Sequence, residues 1–207
     1  MIPVNDLSRG FKLYQDEYEE AALRVLRSGW YVLGHEVEDF EKEFAASLGE
    51  ECYCVGVANG LDAIMLGLLA AGIGEGDEVI VQANGYIATM LGVMQCKATP
   101  VYVEPDEYYQ LDAANIEDAI TDKTKAVIVT HLYGQATRMD EIVRICDKRG
   151  LLLFEDCAQS HYAPLQRKEY RIVWEGGILQ LLSHQESGRI RRRRCRGLKR
   201  SRNNQKG

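Results

Sequence analysis

The segment Leu151 to His161 reads Leu-Leu-Leu-Phe-Glu-Asp-Cys-Ala-Gln-Ser-His. An apolar run that ends this way has the pattern of a buried strand. It delivers a carboxylate (Asp156), an amide (Gln159) and an imidazole (His161) to one strand end. A carboxylate in such a low-dielectric setting calls for a cationic partner; taken alone, Asp156 also reads as a cap for the next segment. Far upstream, Asn59-Gly60-Leu61-Asp62-Ala63 opens a helix directly after a strand. Unpaired backbone N–H groups and the positive end of the helix dipole converge there, and an anion such as phosphate fits that spot. Gly60 allows close approach to the backbone. The plain alternative is an ordinary turn with Asn59 as helix cap. Tyr86 adds an aromatic face suited to stacking on a planar ring, although a lone tyrosine is more often core.

These residues need elements to position them. Apolar positions at helical spacing predict helices over Asp16–Arg27, closed by Gly29, and over Glu36–Leu48, closed by Gly49. Strand and helix then alternate. The strands are Cys52–Ala58, Glu78–Val81, Val101–Val103, Ala126–Thr130 and Leu151–Glu155, and the helices Leu61–Ala71, Ile87–Gln95, Ile116–Ile120 and Met139–Lys148. Continuous apolar strands such as Ala126-Val127-Ile128-Val129 indicate burial on both faces, as in a largely parallel sheet covered by helices. The fold class is α/β, in three layers. Ligands of such sheets gather outside the carboxyl ends of the strands. Asn59-Gly60, Asn84-Gly85-Tyr86, His131 to Gln135 and Asp156 all fall there.

Composition bounds the rest. The chain has 207 residues, 46% of them hydrophobic, enough for a sizeable core. It shows no basic-plus-apolar leader and no apolar run long enough to span a bilayer, so the expectation is a cytoplasmic protein with no membrane partner. Cys52, Cys54, Cys96, Cys146, Cys157 and Cys195 lack paired spacing and read as buried thiols; no metal site is expected. The net charge of −6 conceals a step after Ala163: residues 1–163 carry −16 and residues 164–207 carry +10.

Several ordered motifs carry a resemblance. Ser28-Gly29-Trp30-Tyr31-Val32-Leu33-Gly34, Asn59 to Ala63, Ala83-Asn84-Gly85-Tyr86-Ile87-Ala88-Thr89, His131-Leu132-Tyr133-Gly134-Gln135 and Glu155 to His161 resemble the DegT-type nucleotide-sugar aminotransferases, which have the fold-type-I pyridoxal-phosphate architecture. The wording is most similar to members that aminate a 3-keto-6-deoxyhexose on a nucleoside diphosphate. The resemblance implies pyridoxal 5'-phosphate as cofactor, held by the backbone of Gly60 and Leu61, stacked on by Tyr86, paired at its ring nitrogen with Asp156 and flanked at its hydroxyl by Gln159. It implies transamination of a nucleotide-linked keto-deoxysugar with glutamate as amino donor, in amino-sugar biosynthesis for a surface polysaccharide or secondary metabolite, by a homodimer. Gly85 stands where the family usually has threonine, and Tyr162 where glycine is usual.

The resemblance covers residues 1–163, the N-terminal part of a large domain. The remainder of that domain and the small domain are expected to be missing, and residues 164–207 are expected to form an aberrant, disordered basic tail. Transamination needs a Schiff-base lysine, which in the family lies in a motif like F-S-F-Y-P-T-K-N. No such motif is present, so no catalytic residue is assigned and the chain is expected to be inactive. The genetic code offers an account. Leu179 to Ser187 can be written CTT CAG CTT CTA TCC CAC CAA GAA TCT, and reading from the second base gives F-S-F-Y-P-T-K-N. Synonymous choice supplies part of that match, but Gln185-Glu186 allows only Lys or Arg in the shifted frame, and Trp174-Glu175 only Gly. The arginine run Arg191 to Arg194 becomes small residues when CGN codons are shifted. Residues 164–207 therefore resemble an out-of-frame reading of the family's own gene. The competing readings are a basic arm with sequence-independent affinity for nucleic acid and a non-catalytic fragment that binds cofactor or associates with a second chain. No specific nucleic-acid partner is expected.

Overall fold

The computed structural model describes residues 6–48, 52–160, 178–181 and 189–193, the last two stretches as backbone. The chain divides into two compact units, Met1–Glu43 and Phe44–Gly207. The composition step at Ala163 falls inside the second.

The first unit holds helices α1 (Leu7–Leu13) and α2 (Gln15–Ser28) and the start of α3 (His35–Leu48). α2 ends where Gly29 takes a left-handed φ of 68°, as its sequence predicts. α1 escapes a periodicity reading because it is short and interrupted by Gly10. Its signal is the cap, in which Asp6 Oδ1 accepts from the Ser8 N–H at 3.1 Å.

In the second unit, β1 (Cys52–Gly56), β2 (Glu78–Gln82), β3 (Thr99–Val103), β4 (Thr124–Thr130), β5 (Leu152–Asp156), β6 (Ile178–Leu181) and β7 (Arg189–Arg193) form one sheet in the order β1-β7-β6-β5-β4-β2-β3. β7 runs antiparallel to both of its neighbours and the other pairs are parallel. β1 therefore points the same way as β5, and both carboxyl ends lie at one edge of the sheet. Helices α4 (Gly60–Ala70), α5 (Ile87–Gln95), α6 (Ala113–Ala119) and α7 (Met139–Arg149) connect the strands. The sequence reading places these elements within a few residues. β3 begins earlier than expected because Pro100, which lacks an N–H, sits on an edge strand where that loss is tolerated. α6 begins at its cap, Asp112, whose side chain accepts from the Ala114 N–H at 2.9 Å. Two pieces of the 164–207 stretch, expected to be disordered, run as the strands β6 and β7.

Strand alternation splits the core in two. Val79, Val81, Ala126, Ile128 and Phe154 pack with Ile64, Leu68 and Val93 of α4 and α5. Ile80, Val127, Val129 and Leu153 pack with Ile116, Ile142 and Cys146 of α6 and α7. Burial pushes the Cys146 thiol up to about 12, so it is an inert apolar side chain. Cys54, Cys96 and Cys157 are likewise buried and outside any disulfide.

α4 and α5 meet at Gly92. A Cβ there would lie 2.8 Å from Ile64 Cγ2 and 3.3 Å from the Leu61 carbonyl oxygen. Gly92→Ala is expected to destabilise the fold by about 1–3 kcal/mol, the usual range for overpacking. Chemical denaturation of wild type and variant checks this, and an unchanged midpoint would show that the helices have room to separate.

Candidate functional site

The same alternation sorts the polar residues at the carboxyl edge. Residues in step with Phe154 and Ile128 face α4 and α5, which puts Asp156 and Thr130 on that side, adjacent in register. Residues in step with Leu153 and Val129 face α6 and α7, which puts Glu155 and His131 on the other. Asp156 thus shares a sheet face with the start of α4.

Asp156 is 4% exposed. Its Oδ1 accepts from the Ala158 N–H at 3.1 Å and its Oδ2 from the Thr89 hydroxyl at 3.1 Å. Burial raises the carboxyl above the ordinary aspartate range; the Ala158 and Thr89 hydrogen bonds oppose the rise without cancelling it. Both hydrogen-bond donors are neutral, so the group lacks the counter-charge that its burial requires. Thr89 was visible in the sequence only as part of a motif. The signal was a hydroxyl on an otherwise apolar helix, Ile-Ala-Thr-Met-Leu-Gly-Val-Met.

At the start of α4, Asn59 Oδ1 accepts from the Asp62 N–H at 2.9 Å, and its amide donates to the Asp62 carboxylate at 3.0 Å. The Asn59 carbonyl takes the Ala63 N–H. Among the described residues, the N–H groups of Gly60 and Leu61 have no acceptor. The cap therefore satisfies one donor of the first turn and leaves two open, as an anion cradle needs.

Tyr86 is the N-cap residue of α5 and is 59% exposed, with no core packing. Gln159 is exposed, and its Oε1 accepts from the Tyr133 N–H at 3.2 Å. At Gly85 a Cβ would stand 3.1 Å from the Gln82 carbonyl and 3.6 Å from Thr130 Oγ1. Thr130 Oγ1 and Gln82 Oε1 are both buried without a hydrogen-bond partner among the described residues. His161 and Tyr162 lie outside the described residues.

A second polar cluster lies on the α6–α7 side. His131 Nδ1 accepts from the Thr137 N–H at 3.0 Å, which leaves the ring proton on Nε2, donated to Glu155 at 3.0 Å. The Thr137 hydroxyl donates to Gln110 Oε1, and the Gln110 amide donates to the Leu132 carbonyl. The Ser160 hydroxyl donates to the His131 carbonyl at 2.9 Å. This network fixes the loop from His131 to Gln135 against β5. His131, Glu155 and Cys157 place potential ligand atoms within 4.8 Å of one another. The Thr137 N–H aimed at Nδ1 matches the tautomer with its proton on Nε2, towards Glu155.

A model of the DegT/DnrJ/EryC1/StrS aminotransferase family matches residues 13–187. The chain belongs to that family. The match continues past Ala163, into the stretch whose composition changes. The dTDP-3-amino-3,6-dideoxy-alpha-D-galactopyranose transaminase of Aneurinibacillus thermoaerophilus is 52% identical over 164 residues, covering 79% of this chain and 45% of that protein. The crystal structure of DesV from S. venezuelae superposes with a TM-score of 0.80 at 37% identity, over 91% of this chain and 53% of that one. A structure of ntda from Bacillus subtilis, with bound cofactor pmp, gives a TM-score of 0.75 at 32% identity over 86% of this chain and 42% of that one. The chain thus spans about half the length of these family members, and its fold is part of theirs.

The residues present fit the cofactor type that the pmp-bound neighbour carries. A phosphate needs the two open N–H groups at Gly60 and Leu61. A protonated ring nitrogen needs the buried acid that lacks a cation. The Thr130 hydroxyl, buried without a partner among the described residues, stands next to Asp156 in register.

Proposed function

We propose that the chain carries the cofactor-binding half of a pyridoxal-phosphate site, in the lineage of nucleotide-sugar aminotransferases, without the lysine that would make it catalytic. In this reading the N–H groups of Gly60 and Leu61 hold the phosphate and Tyr86 stacks on the ring. Asp156 pairs with the ring nitrogen. Gln159, whose carbonyl oxygen is engaged by Tyr133, keeps its amide N–H groups for the ring hydroxyl. The observation that carries the proposal is Asp156, buried with neutral donors on the sheet face from which α4 starts. When bound, the cofactor supplies an electron sink for chemistry at the substrate carbon. The chain's part is to hold the nitrogen's proton beside Asp156, where burial keeps water from competing for it.

The lineage's substrate is a nucleotide-linked keto-deoxysugar, its amino donor glutamate, its setting amino-sugar biosynthesis for a surface polysaccharide or secondary metabolite, and its assembly a cytoplasmic homodimer. Exposed Ile87, Leu91 and Met94 on α5, with Leu66 and Leu69 on α4, support an associating surface. Among the described residues no helix is long and apolar enough to cross a membrane.

Residues 164–207 are best read as an out-of-frame tail. β7 is an interior strand, paired on both sides, yet four of its five residues are arginine. Interior strands of such sheets are normally apolar runs, because both of their faces are covered. Written with CGN codons, Arg191 to Arg193 of β7 become small residues in the shifted frame, and with the codons given for Leu179 to Ser187 the Leu179-Gln180-Leu181 of β6 becomes Phe-Ser-Phe. In sequence, the shifted lysine follows β6, the strand that pairs with β5, by a few codons.

Titrating the full chain with pyridoxal phosphate tests the proposal. Noncovalent binding at one site, read by the cofactor's absorbance and by a raised unfolding midpoint, is the expected result. A chain that binds no cofactor would refute it.

A further inference from the structure

Two tyrosines at the carboxyl edge of the sheet hold a backbone conformation that side chains rarely adopt: φ is 63° at Tyr109 and 59° at Tyr133. A left-handed backbone is strained for a residue other than glycine. Burial does not offset that strain, because the two side chains are 62% and 63% exposed. Hydrogen bonds from residues of the candidate site hold them there. The Tyr109 carbonyl accepts from Gln82 Nε2 at 2.8 Å and from Asn84 Nδ2 at 3.2 Å. The Tyr133 N–H donates to Gln159 Oε1 at 3.2 Å. One tyrosine is thus tied to the loop that carries Tyr86 and the other to the residue placed at the ring hydroxyl. Their rings meet edge to face, with centroids 6.2 Å apart and planes at 84°. Beside them, Arg138 lies 5.5 Å over the ring of Tyr108.

The result is an exposed right-angled aromatic corner, fixed to the site at some cost in backbone energy and contributing nothing to the core. We infer that Tyr109 and Tyr133 form a stacking platform for the planar base of a nucleotide-linked substrate. The inference rests on the proposed nucleotide-sugar lineage and names the part of the chain that takes the nucleotide end. A flat π system suits such a corner, since one ring offers a face and the other an edge. A sugar would need converging hydrogen-bond groups, and an aliphatic ligand a concave apolar wall. Stacking of a base on an aromatic side chain is worth about 1–3 kcal/mol by alanine substitution.

Calorimetric titration of the full chain with dTDP, inorganic pyrophosphate and pyridoxal phosphate, each alone, tests this. dTDP is expected to bind. Tyr109→Ala and Tyr133→Ala are each expected to weaken dTDP by roughly 5- to 100-fold and to leave pyrophosphate unchanged, while Tyr133→Phe keeps near-wild-type affinity. Tyr133→Gly separates binding from folding: glycine takes the positive φ without strain, so the unfolding midpoint should hold or rise while dTDP affinity falls. Failure of the chain to bind dTDP, or equal affinity in the alanine variants, overturns the platform. Pyridoxal phosphate binding without dTDP binding removes the platform and leaves the cofactor proposal standing; the converse does the reverse.

Discussion

Replacing Asp156 with alanine is expected to weaken binding of pyridoxal phosphate to the full chain by on the order of 100-fold or more. Losing one partner of a buried charge pair typically costs about 3–5 kcal/mol, because the other charge is left uncompensated. Here that charge would be the protonated ring nitrogen. Asp156→Asn should weaken binding in the same direction while raising the stability of the cofactor-free chain at neutral pH. The sign follows from the direction of the shift. Burial raises the Asp156 carboxyl in the folded state, so the fold holds a proton that the unfolded chain has already released. Stability is then highest below the ordinary aspartate value of about 3.9 and falls as pH rises towards the folded value. The asparagine variant lacks that decline. Denaturation midpoints measured across this window, with cofactor titrations at neutral pH, check both effects. An asparagine variant that binds as tightly as wild type would show that the acid serves the fold alone.

The second large effect concerns the lysine. The chain as it stands is expected to yield no cofactor adduct at one defined lysine after borohydride reduction, and no transamination. A gene with a one-base shift near codon 163 is expected to encode the F-S-F-Y-P-T-K-N motif and to give a reducible adduct at its lysine, with activity rising from nothing detectable. The nucleotide sequence of the reading frame is the first check: if no shift of one or two bases restores the motif, the account of the tail fails. A specific adduct on the unshifted chain would overturn the reading of this protein as non-catalytic.

How much of this was legible from sequence varies with the range of the interaction involved. Ile87–Gln95 was placed residue for residue because its apolar spacing and flanking breaks are local signals. α1 was not, since a seven-residue helix around Gly10 has too little periodicity to register. Asp156 and Gly60 were legible as residue types after strands, each with a bland alternative. The hydroxyl of Thr89, which holds the Asp156 carboxylate across 67 positions of chain, carried no spacing signal, because nothing local links the two residues.

By itself, the sequence determined the alternation of strands and helices, the burial of the central strands, the family, and the break in composition after Ala163. All of these are written in hydrophobic period, turn chemistry, motif order and charge. Tertiary structure alone decided that Asp156 and the open end of α4 share a sheet face. A strand's two faces become distinct only once helices are assigned to them, and strand parity then sent Asp156 and Thr130 one way and Glu155 and His131 the other. It also decided that Tyr109 and Tyr133 meet. Their strained backbone is held by hydrogen bonds from other strands and loops, which no local pattern encodes.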